Sequence, residues 1–101
     1  MIPSLEELRI QCRIDSDNTD EDALLELYVS AAREEAEQFL NRRLYDDPVP
    51  DDDPTGIVIN SSIKLRVMQL VNFWYDNREQ PEVVPDFFFN GIRNYRLQPG
   101  T

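Results

Sequence analysis

The sequence predicts an all-α fold: a small bundle of about four helices, with a long acidic, proline-rich loop between the second and third. Three observations carry this. Apolar residues recur at helical spacing over two long stretches, 24–40 and 63–75. Both stretches open beside Ser, Thr or Asp, residues whose side chains satisfy the unpaired N–H groups of a first helical turn. No run alternates apolar and polar residues convincingly enough for a strand. At 101 residues the chain suits a single domain, 1–101, with a modest core.

The first helix starts at Ser4, with Glu7 placed three residues on to complete a capping box. Leu5, Leu8 and Cys12 then share one face. The second helix runs from about Asp20 to Asn41. Thr19 or Asp20 can cap it, and Asp20, Glu21 and Asp22 put negative charge at the positive end of the helix dipole. Arg42 and Arg43 stand at the other end. Leu24, Leu25, Leu27, Tyr28, Val29, Ala31, Ala32, Ala36, Phe39 and Leu40 span an arc of roughly 220° on this helix. A single core needs a stripe of little more than ~100°, so helix two is expected to touch two neighbours.

From Asp46 to Pro54, three prolines and five aspartates forbid a helix, and mutual repulsion favours an extended, solvated loop. Helix three spans about Ser62 to Asn77, capped by Ser61 or Ser62. Ile63, Val67, Met68, Leu70, Val71, Trp74 and Tyr75 form its core face, while Leu65 and Phe73 project on the polar side with Arg66 and Gln69. Large apolar residues on that side point to a partner. A short fourth helix opens near Pro85, with Phe88, Ile92 and Tyr95 aligned, Gly91 allowing close packing, and Phe87 and Phe89 turned to other sides.

Composition excludes much. Acidic residues outnumber basic ones 20 to 10, giving a net charge of −10, with one lysine and scattered arginines. Binding DNA through a basic face is therefore not expected. The chain has no histidine, which removes imidazole bases and metal sites, and three glycines, too few for a phosphate-cradling loop. Cys12, the single cysteine, reads as a small buried hydrophobe. Asp15 to Glu26, "DSDNTDEDALLE", resembles a calcium loop only in part, since Asp20 replaces the glycine of the sharp turn. Glu34, Glu35 and Glu37 face no second acidic helix; Glu35 lies inside the apolar arc and calls for an arginine partner. No catalysis, cofactor or metal is expected. The start "MIPSLEEL" shows no secretory pattern and no stretch suits a membrane span, so the cytoplasm is the expected compartment.

In order, "LEELRIQCRIDSDNTDEDALLELYVSAAREEAEQFLNRRLY", an acidic proline-containing loop, "IKLRVMQLVNFWYDNRE" and "IRNYRL" resemble the small head-tail connector (adaptor, or head-completion) proteins of long-tailed bacteriophages and prophages. "FFFNG" departs from the smaller aliphatic residues often found there, which puts the packing of the last helix in doubt. The resemblance implies a homo-oligomeric ring, dodecameric in the virion, beneath the portal protein. Such a ring extends the DNA channel, lets DNA pass without specific binding, and presents a surface to a tail or head-completion protein. It implies a virion location at the head-tail junction, host cytoplasm during assembly, no cofactor and no membrane.

A ring of identical copies needs two different adhesive faces on each. The candidate subunit interface is Leu65, Gln69 and Phe73 on helix three with Leu25, Val29 and Leu40 on helix two. The candidate partner or channel surface is Asp46, Asp47, Asp51, Asp52 and Asp53 with Tyr95, Arg96 and the tail to Thr101. Acid along a DNA conduit would repel phosphates. Two rival readings stay open on sequence alone: an acidic DNA mimic or inhibitor occupying a basic site on a nucleic-acid enzyme, and a divalent-metal carboxylate enzyme.

Overall fold

The computed structural model describes residues 3–15, 17–78 and 83–97. Among them the elements run α1 (Leu5–Gln11), α2 (Asp22–Leu40), β1 (Leu44–Tyr45), β2 (Ile57–Val58), α3 (Ser61–Asp76), α4 (Asp86–Ile92) and a closing 3-10 turn, Arg93–Tyr95. The fold is all-α, with one minimal strand pair that the sequence reading does not anticipate.

α1 begins with the capping box its sequence specifies. Ser4 Oγ accepts the Glu7 N–H at 3.1 Å, and Glu7 Oε1 accepts the Ser4 N–H at 3.0 Å. It ends in a Schellman motif: Arg13 N–H reaches Ile10 C=O at 3.2 Å and Ile14 N–H reaches Arg9 C=O at 2.7 Å. That geometry puts Arg13 at φ 60°, a left-handed conformation that glycine adopts at less cost.

α2 starts two residues later than expected, at Asp22, and its cap position, Glu21, makes no side-chain capping bond, its carboxylate pairing with Arg78 instead. Thr19 and Asp20 are committed to the preceding turn, where Thr19 C=O accepts the Asp22 N–H and Asn18 Oδ1 accepts the Asp20 N–H. Asp22 spends its charge on Arg9 of α1, at 3.1 Å from Nε and 2.5 Å from Nη2. The helix closes at Asn41 in the left-handed region, φ 58°. α2 packs against α1, α3 and α4, which is why its apolar arc is so broad. Leu25, Tyr28, Val29, Ala32, Ala36 and Leu40 are buried, whereas Leu27 lies outside the core, 63% exposed.

α3 is capped by Asn60, not by Ser61 or Ser62: Asn60 Oδ1 accepts the Ile63 N–H at 2.9 Å. Ile63, Val67, Leu70, Val71 and Trp74 form its buried stripe. The Trp74 ring packs on Tyr28 with centroids 5.7 Å apart, and its Nε1 donates to Val83 C=O at 2.7 Å. This bond ties the segment entering α4 to the middle of the core. Pro85 serves as the N-cap of α4 and not as its first helical residue. Gly91 lets α4 lie across the stem of Arg66, since a Cβ there would run into Arg66 Cδ and Nε.

Candidate assembly surfaces

Three of the six candidate interface residues are committed inside the subunit. Leu25 and Leu40 are fully buried and Val29 nearly so, because the arc they belong to serves α1, α3 and α4. Leu25 and Leu40 offer no area to a neighbour, and Val29 little. The helix-three candidates divide differently. Leu65 is 46% exposed and Gln69 half-buried. Phe73 is also half-buried, because α4 comes to lie on the side that the helical wheel marks as polar. Its ring meets Phe87 of α4 edge-on, with centroids 6.3 Å apart. Phe87 itself remains 39% exposed, so the Phe73–Phe87 pair forms an apolar ridge, with Leu65 two turns earlier on α3.

Alongside that ridge runs an open groove of about 510 Å³ whose lining includes Gln11, Arg66, Gln69, Asn72, Phe73 and Phe87. Arg66 Nη1 donates to Gln69 Oε1 at 3.0 Å, while its buried Nε meets no acceptor among the described residues. Ile10, 73% exposed on α1, joins Leu27 as an outward apolar residue. Ile10 lies opposite Leu8 on the helical wheel, a signal the sequence held but that a search for core faces passes over.

The acidic loop is folded back on itself, not extended. β1 and β2 pair in parallel, Leu44 with Ile57 and Tyr45 with Val58, and so clamp both ends of the loop. α2 holds the clamp: Glu37 Oε2 accepts the Leu44 N–H at 2.8 Å, and Arg33 donates to Leu44 C=O and pairs with Asp46 at 3.3 Å. Within the loop, the Tyr45 hydroxyl donates to Asp53. That bond is the chief cause of an Asp53 pKa below its ordinary value, and it raises the pKa of Tyr45 in turn. Gly56 packs under the Tyr45 ring, where a Cβ would stand 2.6 Å from Cε2. Asp53 N–H bonds Pro50 C=O at 3.0 Å, leaving Asp51 and Asp52 as the corners of a turn. Asp47, Asp51 and Asp52 are exposed and take no ion pair among the described residues.

The C-terminal candidates gather at the far end of α2. Leu97 N–H bonds Leu40 C=O at 2.8 Å, satisfying a carbonyl that the helix end leaves open. Tyr95 is half-buried against the core. Arg96 and Arg93, both exposed, place their guanidinium carbons 5.0 and 5.8 Å from the centre of the Phe39 ring. Phe39 in turn contacts Phe89 of α4, centroids 4.9 Å apart. Glu35, read as wanting an arginine, is half-buried and forms no ion pair among the described residues. The tail contact expected at 98–101 lies outside the described residues.

Cys12 is buried, and burial pushes its thiol up to about 11, with Asp76 and Glu21 adding to the effect. Among the described residues no group of three or more acids or cysteines converges to hold a metal. No helix among them is long and apolar enough to cross a membrane.

A comparison with protein families matches residues 2–84 to the phage gp6-like head-tail connector proteins. The chain belongs to this family. The match takes in α1, α2, the clamped acidic loop and α3, and it gives the connector a role in building the phage virion. The family is a structural one, which favours assembly over the inhibitor and metal-enzyme readings. Neither the curated proteins nor the solved structures compared with the connector yield a match.

Proposed function

We propose that copies of this connector close into a ring beneath the portal vertex of the filled head, dodecameric in the virion. The ring extends the DNA channel and joins the packaged head to a head-completion or tail protein. Membership of the connector family over most of the chain is the observation that carries this reading. The surface supports it physically. A subunit this small keeps Leu65, Phe87 and one side of Phe73 outside its core, apolar surface on α3 and α4 that a neighbouring copy can cover.

The acidic segments suit a conduit that must not hold DNA. Asp15, Asp17 and Asp20 are exposed in the turn before α2 and take no ion pair among the described residues. The loop from Asp46 to Asp53 is the second acidic stretch. Carboxylates facing phosphates repel them, and no counterions are released to drive binding. Tyr95 and Arg96, with the acidic loop, are the proposed surface for the portal or tail protein.

Electron microscopy of the connector mixed with its cognate portal tests the placement: ring density under the portal is expected, and a portal that stays bare refutes it. Leu65→Asp tests the ridge. Leu65 is exposed, so this change should reduce ring formation in light scattering while circular dichroism stays unaltered. Undiminished rings would remove Leu65 from the contact.

A further inference from the structure

Resting on the ring reading, we propose that Phe87 of one copy inserts into an apolar pocket between α1 and α2 of the next. Glu26 on the rim of that pocket then faces Arg66 of the inserted copy.

The pocket has a volume of about 420 Å³ and is lined by Pro3, Leu5, Leu8, Glu26, Val29 and Ser30. Pro3, Leu8 and Val29 are buried, Leu5 is half-buried, and Glu26 and Ser30 are exposed. Ser30, one turn on from Glu26, puts only a hydroxymethyl group at the mouth. Its four apolar lining residues set it apart from the groove beside the Phe73–Phe87 ridge, where amides and charges predominate. They set it apart equally from the cleft under the acidic loop, which holds Arg42, Arg43, Asp52 and Asp53. A recess with an apolar lining and a polar rim suits an aromatic anchor.

A closed ring calls for such a recess. Ridge on ridge would be an isologous contact that pairs two copies and stops there, so the ridge of each copy must meet a different surface on the next. The pocket is made by α1, the proline before it, and α2, and shares no element with Phe73 of α3 or Phe87 of α4. Phe87 is the second residue of α4 and 39% exposed.

Charge gives the insertion its direction. Arg66 lies against Gly91 near the end of α4, whereas Asp86 opens α4 and Asp76 closes α3. The ridge therefore runs from a basic end to an acidic one. Glu26 takes no ion pair among the described residues. Its carboxylate is drawn to the basic end and driven from the acidic end, which selects one orientation of the joined copies. Arg66 Nη1 is held by Gln69 Oε1, which leaves Nη2 to donate to Glu26.

Cross-linking of the full-length protein tests the insertion. Phe87→Cys and Ser30→Cys copies, mixed at high concentration with a short thiol-to-thiol linker, should give covalent dimers, and neither variant alone should. Wild type, whose Cys12 is buried, is the blank. Circular dichroism checks folding, and if Phe87→Cys disturbs α4 the exposed neighbour Asp86→Cys carries the thiol instead. Glu26→Lys should lose assembly in native mass spectrometry with its helix content intact. That variant is two charges less negative than wild type, so relief of general repulsion predicts the opposite, stronger assembly. Rings that form without the mixed link, or undiminished in Glu26→Lys, overturn the insertion and leave the ring reading standing. A link from Ser30→Cys to the portal in place of a second copy also overturns it and gives the pocket to the portal. Links within Phe87→Cys alone mean a two-fold contact and overturn it too. Wild type that remains monomeric at high concentration, with and without portal, sinks both readings.

Discussion

Trp74 is the residue whose replacement should harm the monomer most, and two separable interactions set the size of the effect. Its ring is buried between Tyr28 and the rest of the core, and its Nε1 holds Val83 C=O at 2.7 Å. Trp74→Phe keeps most of the buried ring but leaves that carbonyl without its donor, a loss of about 0.5–1.5 kcal/mol. Trp74→Ala opens a cavity as well, and truncating a buried aromatic costs ~3–5 kcal/mol. A domain of this class is stable by only ~5–15 kcal/mol, so the alanine variant should be largely unfolded if the total lies near the lower bound. Urea titration followed by circular dichroism measures both, since the only tryptophan is lost as a fluorescent probe. The phenylalanine variant should melt roughly 4–8 °C lower for each kcal/mol lost. An alanine variant within ~1 kcal/mol of wild type would refute the placement of this ring at the centre of the core.

Gly56→Ala should open the acidic loop, because its Cβ would press on the Tyr45 ring and stand 3.0 Å from Asp53 Oδ2. A loss of ~1–3 kcal/mol and new protease cleavage between 46 and 56 are expected. Arg13→Gly should stabilise by about 0.5–1 kcal/mol in the same urea titration, since it relieves a left-handed residue at the end of α1. Acid should weaken the fold through Glu7 and Asp53, whose pKa values the Lys64 ammonium and the Tyr45 hydroxyl, respectively, hold below the ordinary 4.5 and 3.8. Depressed carboxylates contribute stability above those ordinary values and lose it as pH falls through the folded ones, so Glu7→Gln and Asp53→Asn should each flatten the acid limb of a stability–pH curve.

Local signals made the helices legible. The Ser4–Glu7 capping box and the apolar spacing of α2 and α3 are properties of neighbouring residues, and they reappear in the structure. What failed needed a distant partner. Asp20 reads as a cap until Asn18 claims its N–H. The run from Asp46 to Asp53 reads as an arm that its own repulsion extends; the clamp depends on Arg33 and Glu37, which no local window contains. Ser61 and Ser62 are such familiar caps that Asn60, one position earlier, goes unremarked. For the candidate surfaces, the wheel separates a core side of α2 from a solvent side but cannot tell how many elements will pack on it. Leu25, Val29 and Leu40 therefore pass for an outward face.

Phe73 shows how that failure changes the expected assembly contact without removing it. On the wheel its ring is exposed, and an aspartate there would seem a clean probe of association. In the folded chain α4 crosses that side, permitted by Gly91 over the Arg66 stem, and Phe87 meets Phe73 edge-on. An aspartate at 73 would then break α3–α4 packing together with any contact between copies, and its effects could not be assigned. The apolar excess has moved outward by one layer, onto Phe87, while Leu65 stays exposed. Ile10 and Leu27 are more exposed than either, yet each stands alone on its helix, as single apolar residues on protein surfaces commonly do. The ring pair of Phe73 and Phe87, more than exposure alone, marks the ridge as a contact.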